Sequence, residues 1–324
     1  MINTHTAQWM LELELAWRGG LRGTSSGVSD HIINGLNDEY LRKIDIPDLL
    51  RIHHNSAFIK YNTLVFLSDN LRYLKETVKN KPETIKDINV FLYWNTGWDG
   101  APIMIQSVKK QVEKIFSNFN IVFLDDQNYL NYLDEDITIF PKNINKLKEN
   151  SIAHWSDWLR LNILKQHGGL WVDSTAFPTE KILETIQDIN DSSAQVWAQR
   201  SVGFNQISNW LIYTKEKNNY PISIMLSAIN LWLENHESFI EYFQFHTYWY
   251  FLSQIDNEFK RQWDNSPKIN SAPTFELWKK SREVINIDEF NSLFNSTYIH
   301  KLSYSYNDIK PDTVADRLVR VSKE

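Results

Sequence analysis

Cysteine is absent from this 324-residue chain, which excludes a disulfide scaffold, a thiolate-ligated zinc site and a cysteine nucleophile. Glycine and proline number only 10 and 9, too few for a flexible or low-complexity chain. Basic charge is not in excess either: the formal net charge is -6, so no basic field recommends nucleic acid as a partner. No apolar run approaches the roughly 20 residues that span a bilayer. The amino-terminal stretch lacks a basic n-region and carries Glu12 and Glu14 among its apolar residues, which argues against a secretory signal. The expectation is a cytoplasmic protein, soluble or attached peripherally at the inner face of a membrane.

What is present is a 42% hydrophobic chain with 13 Trp, 14 Tyr and 17 Phe. Most of these rings are expected in the core, although flat rings also stack on sugar faces and bases. The length suggests about two domains. Residues 1–85 read as a helical extension, with helical spacing from His5 to Trp17 and from Asp48 to Leu74. The charged stretch Lys75 to Asp87, interrupted by Pro82, marks a junction before a second domain over residues 86–324.

Beyond the junction the pattern changes to alternating strands and helices, hence an α/β sheet with helices on its faces. Strands are expected at Ile88 to Trp94, Asn120 to Leu124, Leu170 to Asp173, Gln195 to Ala198 and Trp210 to Tyr213. Pro102 starts a helix burying Ile105, Val108, Val112 and Ile115. A second helix, Ser151 to His167, is stopped by Gly168 and Gly169. Open α/β sheets bind ligands beyond the carboxyl ends of their strands. There the chain places Trp94, Asp125, Asp126 and Asp173, an aromatic plate with several carboxylates. Glu241 to Leu252, dense in aromatics, reads as a buried helix.

The densest chemistry lies in His154 to Phe177, HWSDWLRLNILKQHGGLWVDSTAF. Asp157 and Arg160 share a helix face three residues apart. An isolated pair of this kind is an ordinary surface ion pair. Here a Gly-Gly stop and a strand ending at Asp173 follow it directly. The run resembles glycosyltransferase family 32, in particular its capsular polysaccharide synthesis branch, through His154, Ser156, Asp157, Leu159, Arg160, Leu164, Gly168, Gly169, Trp171, Asp173 and Thr175. Similar segments surround it: Tyr93-Trp94 to Ala101-Pro102, Ser208 to Leu211, Phe245-His246, and Ile299 to Leu302.

That resemblance implies a GT-A fold, a Rossmann-like nucleotide-sugar transferase core, and an enzyme that moves a hexose with retention from a nucleotide sugar, most plainly a UDP-sugar. The acceptor would be a glycan or lipid-linked oligosaccharide in capsule, exopolysaccharide or other surface-glycan assembly. It implies Mn²⁺ or Mg²⁺ held by Asp173 and Thr175, with His300 as a further ligand, because such a cation stabilises the departing phosphate. The family's D-x-D is here Asp173-Ser174-Thr175, and a hydroxyl binds Mn²⁺ more weakly than a carboxylate. By the same carry-over, Asp157 and Arg160 bind the donor beside Asp173, and Trp94 stacks on the base. Asn209, Trp210 and His246 belong to the acceptor side. Peripheral membrane contact or a homodimer contact is the expected role of the first 80 residues. Two rival readings are a non-catalytic glycan- or nucleotide-binding protein on the same fold, and a glycoside hydrolase using two carboxylates.

Overall fold

The structure is a computed structural model, and it describes residues 56–323 apart from 79, 201–206, 270–272 and 307. Most of the expected amino-terminal extension, residues 1–55, therefore lies outside the described residues. Its remainder contains helix α1, Ser56–Thr77. Leu64, Leu67 and Leu74 of α1 are fully buried in the main core.

After the short strand β1, Glu83–Thr84, comes a strand–helix–strand unit: β2, Asn89–Tyr93; α2, Ile103–Ile115; and β3, Asn120–Leu124. The four apolar positions expected on α2 are all buried. Helix α3, Ile144–Asn150, leads into α4, Ile152–His167, whose first turn is capped by the Ser151 hydroxyl. Strand β4, Gly169–Val172, follows at once, then β5, Ala176–Pro178, and α5, Lys181–Asp191. Strands β6, Val196–Arg200, and β7, Ile207–Thr214, complete the main sheet. Strand β8, Glu216–Lys217, pairs with β1.

The carboxyl-terminal part is helical: α6, Tyr220–Leu233; α7, Gln244–Ile255; α8, Asn257–Asp264; α9, Glu276–Lys279; and α10, Ile287–Phe294. Strand β9, Ile299–Lys301, and helix α11, Val314–Val321, close the chain.

The main sheet has five strands in the order β3-β2-β4-β7-β6. Strands β3, β2 and β4 are parallel, whereas β7 runs antiparallel to both β4 and β6. This is a mixed α/β fold compatible with the expected Rossmann-like core. Side chains alternate across the sheet. Phe91, Tyr93, Trp171 and Ile212 face a core shared with α1, α4, α6 and α7. Val90, Leu92, Leu170, Val172 and Leu211 face a second core shared with α2, α5, α10 and α11. Both faces are covered, so the strands read as nearly continuous apolar runs.

The Gly168-Gly169 turn lets α4 reverse directly into β4. Both glycines have positive φ, 64° and 91°. A Cβ on Gly169 would lie 2.5 Å from the Asn89 carbonyl oxygen. Close pairing of β4 with β2 therefore requires glycine at this position.

Candidate active site

A cavity of about 490 Å³ opens at the carboxyl ends of β2 and β4. Volumes of this order are typical of small-molecule sites. Helix α4 supplies His154, Ser156, Asp157 and Arg160 to its wall, and the segment after β4 supplies Asp173, Ser174 and Thr175. Trp94 follows β2, Asn209 lies on β7, His246 on α7 and Lys301 on β9, and all four line the same space. Seven of the residues expected at the site thus come together: Trp94, Asp157, Arg160, Asp173, Thr175, Asn209 and His246.

Helix α4 is buried on nearly every side, which makes a charged pair within it costly unless its groups are satisfied. Arg160 Nη1 lies 3.1 Å from Asp157 Oδ1 and also donates to the Asn209 carbonyl oxygen. Its Nη2 donates to Ser156 Oγ at 3.3 Å, while its buried Nε has no partner. Asn209 Nδ2 donates to Asp157 Oδ1 at 2.7 Å. Burial pushes the Asp157 carboxyl up to about 6, with Arg160 opposing the rise, Asp173 adding to it and Asn209 opposing it. A desolvated carboxylate with a defined charge partner, open to a cavity, is a candidate functional group.

Asp173 is fixed by its backbone N–H, which donates to the Trp210 carbonyl oxygen at 2.8 Å. Burial raises its carboxyl, but Lys301, Arg160 and the Thr175 amide outweigh that and hold it below the ordinary carboxylate value. Lys301 Nζ lies 2.5 Å from Asp173 Oδ2 and donates to Thr175 Oγ1. The β5–β9 pairing sets this contact, because it places Lys301 opposite Ala176.

His246 is buried, and its imidazole is pushed down to about 3, first by burial and then by the charge of Arg160. It is a neutral group at physiological pH, and its buried Nδ1 has no partner. Burial also lowers His154, partly offset by the Tyr242 carbonyl oxygen 3.3 Å from its Nε2. Trp94 meets Tyr304 edge-on with ring centroids 5.8 Å apart, and its buried Nε1 is unpartnered. Tyr242, Phe275, Trp278 and Tyr304, all exposed, add an aromatic rim.

Several expectations need correction. His300 does not ligate beside Asp173: it is fully buried, stacks on Phe294 and has Nε2 2.9 Å from the Phe294 carbonyl oxygen. Alternation along β9 turns His300 away because Lys301 faces the site. Trp210 is displaced for the same reason. Its neighbour Asn209 faces the cavity, and Trp210 packs in the second core with Phe275 edge-on at 6.4 Å. Asp125 and Asp126 do not join the cluster either. The first accepts from the amides of Gln127 and Asn128, and the second from Tyr93 Oη and Lys148 Nζ.

The expected divalent cation is not matched by these donors. At the Asp173 position the side-chain oxygens are one carboxylate and the hydroxyls of Ser174 and Thr175, and an ammonium already bridges the carboxylate and Thr175. Among the described residues, no three His, Asp or Glu side chains are grouped to hold a metal ion. Such cations are typically held by one or two carboxylates with substrate phosphates and waters completing the shell, but here an ammonium on the same oxygens repels them. Lys301 is the site-lining residue that the sequence analysis did not single out. Its signal was present: it adjoins His300 in the same short strand, and only one of two neighbours can face the site.

A mixed α/β protein with a polarised, aromatic-rimmed cavity at its strand ends has the kind of crevice in which open sheets bind ligands. A sequence model of capsular polysaccharide synthesis proteins matches residues 51–318. The chain belongs to that family, and membership points to a role in capsule biosynthesis. A search of curated proteins finds no match to the chain. Among the described residues, no helix is long and apolar enough to cross a membrane.

Proposed function

We propose that the protein is a GT-A-type glycosyltransferase that moves a hexose from a nucleotide sugar, a UDP-sugar, to a capsular or other surface glycan. The observation carrying this reading is the convergence of Asp157, Arg160 and Asp173 on one cavity at the strand ends. Asp157 accepts hydrogen bonds from hydroxyls of the donor sugar or ribose. Arg160 provides a permanent charge for the diphosphate, with Nε still lacking a partner. Trp94 and Tyr304 offer flat apolar surface to the base. Asn209 and neutral His246 bind the acceptor side, and the exposed rim rings suit sugar faces of a glycan or of a lipid-linked oligosaccharide.

In the retaining reaction the acceptor hydroxyl oxygen bonds to the anomeric carbon on the face from which the phosphate departs. The bond from that carbon to the β-phosphate oxygen breaks, and the hydroxyl proton passes to the departing phosphate. Nucleoside diphosphate and the lengthened glycan are the products.

The test is a panel of UDP- and GDP-sugars incubated with the full chain, followed by release of nucleoside diphosphate. One donor is expected to turn over, and Asp173→Ala to reduce that rate at least 100-fold. Binding of a nucleotide sugar without turnover under any condition favours the non-catalytic alternative. NMR of the first-formed product checks the stereochemistry, and an inverted anomeric centre rejects the retaining step.

A further inference from the structure

We propose that the ammonium of Lys301 serves as the fixed catalytic cation of this site, so that donor cleavage needs no divalent metal. The inference rests on the glycosyltransferase reading above and specifies its chemistry. A departing nucleoside diphosphate develops negative charge on its β-phosphate, and a preorganised cation at that point lowers the barrier. The position beside Asp173 already holds one. Lys301 Nζ is bonded to Asp173 Oδ2 at 2.5 Å and to Thr175 Oγ1, and its backbone N–H is tied to the Thr274 carbonyl oxygen at 2.8 Å. The face of Trp210 lies 5.9 Å from the ammonium.

An ammonium has three N–H donors. Two are used by Asp173 and Thr175, which leaves one for a phosphate oxygen. The side chain keeps 18% of its surface exposed and lines the cavity, so an anionic ligand can reach it. The local charges also balance: the Lys301 ammonium and the Asp173 carboxylate sum to zero. Thr175 fits this arrangement as an uncharged acceptor for the ammonium, in a place where it would be a weak metal ligand.

The experiment measures turnover of the donor selected by the UDP- and GDP-sugar panel, after EDTA treatment and again with added Mn²⁺. Wild type is expected to keep at least half its rate in EDTA. Lys301→Met, which keeps most of the apolar stem, is expected to lose at least 100-fold and to stay low with Mn²⁺. Lys301→Arg should recover part of the rate. Melting temperatures check that the variants fold, and the EDTA comparison on wild type requires no variant. Turnover abolished by EDTA and restored by Mn²⁺ overturns the role of Lys301 and leaves the glycosyltransferase reading standing. Absence of turnover for every donor, with and without Mn²⁺, rejects that reading and this inference with it.

Discussion

Asp157 is a carboxylate held almost out of water, between a guanidinium, an amide and a second carboxylate. Its upward shift to about 6 has named contributors, so each can be removed. Asn209→Ala takes away a hydrogen bond that favours the ionised form, and the Asp157 carboxyl should titrate higher. Asp173→Asn removes a neighbouring negative charge, and it should titrate lower. Carbon-13 NMR of the labelled carboxyl reads both directions without needing activity; shifts of the opposite sign would refute this account of the cluster. Because the folded value lies above the usual unfolded one near 3.9, the protonated form favours folding. That contribution is full below about pH 4 and is lost as pH rises through about 6. Donor cleavage, which uses ionised Asp157 as an acceptor, should rise over the same interval.

At the scale of elements, much was readable before any coordinates. The helix opened by Pro102, the helix stopped by Gly168-Gly169 and the short strands follow from periodicity and punctuation, and they appear as α2, α4, β2, β3 and β4. The extent of β7 was not readable. Its first residues, Ile207 and Ser208, pair with Arg200 and Gln199 of β6, and pairing partners leave no local mark. The glycine turn makes a quantitative claim. Gly169→Ala adds a methyl group 2.5 Å from the Asn89 carbonyl oxygen at a backbone φ of 91°. Chemical denaturation should register a loss of more than about 2 kcal/mol, in the range of strained backbone substitutions. A variant as stable as wild type would mean that β4 and β2 are not packed this closely.

At the scale of the molecule, the cavity draws on both layers. Asp157, Arg160 and His246 come from helices on one face of the sheet, whereas Lys301 and Tyr304 come from the segment packed on the other. Ligand binding here should therefore stabilise the whole fold rather than a single loop. A nucleotide sugar at about one hundred times its Kd adds about 2.7 kcal/mol, worth roughly 4 °C in melting temperature for a chain of this size. Differential scanning calorimetry across the donor panel measures it. A donor that is turned over yet leaves the melting temperature unchanged would contradict a site built from both layers.

The sequence by itself determined the alternation of strands and helices, the stop at Gly168-Gly169 and the sharing of one helix face by Asp157 and Arg160, whereas their grouping with Asp173 was implied by the family resemblance. The first three are local, because spacing along one helix or one strand already sets which side chains are neighbours. It also contained the strand alternation that separates Asn209 from Trp210 and Lys301 from His300, but not the direction of either strand's faces. Only the tertiary structure decided that, through the pairing of β5 with β9 and of β7 with β4. A one-residue change in register exchanges the faces of a strand, which is why an ammonium rather than an imidazole stands beside Asp173.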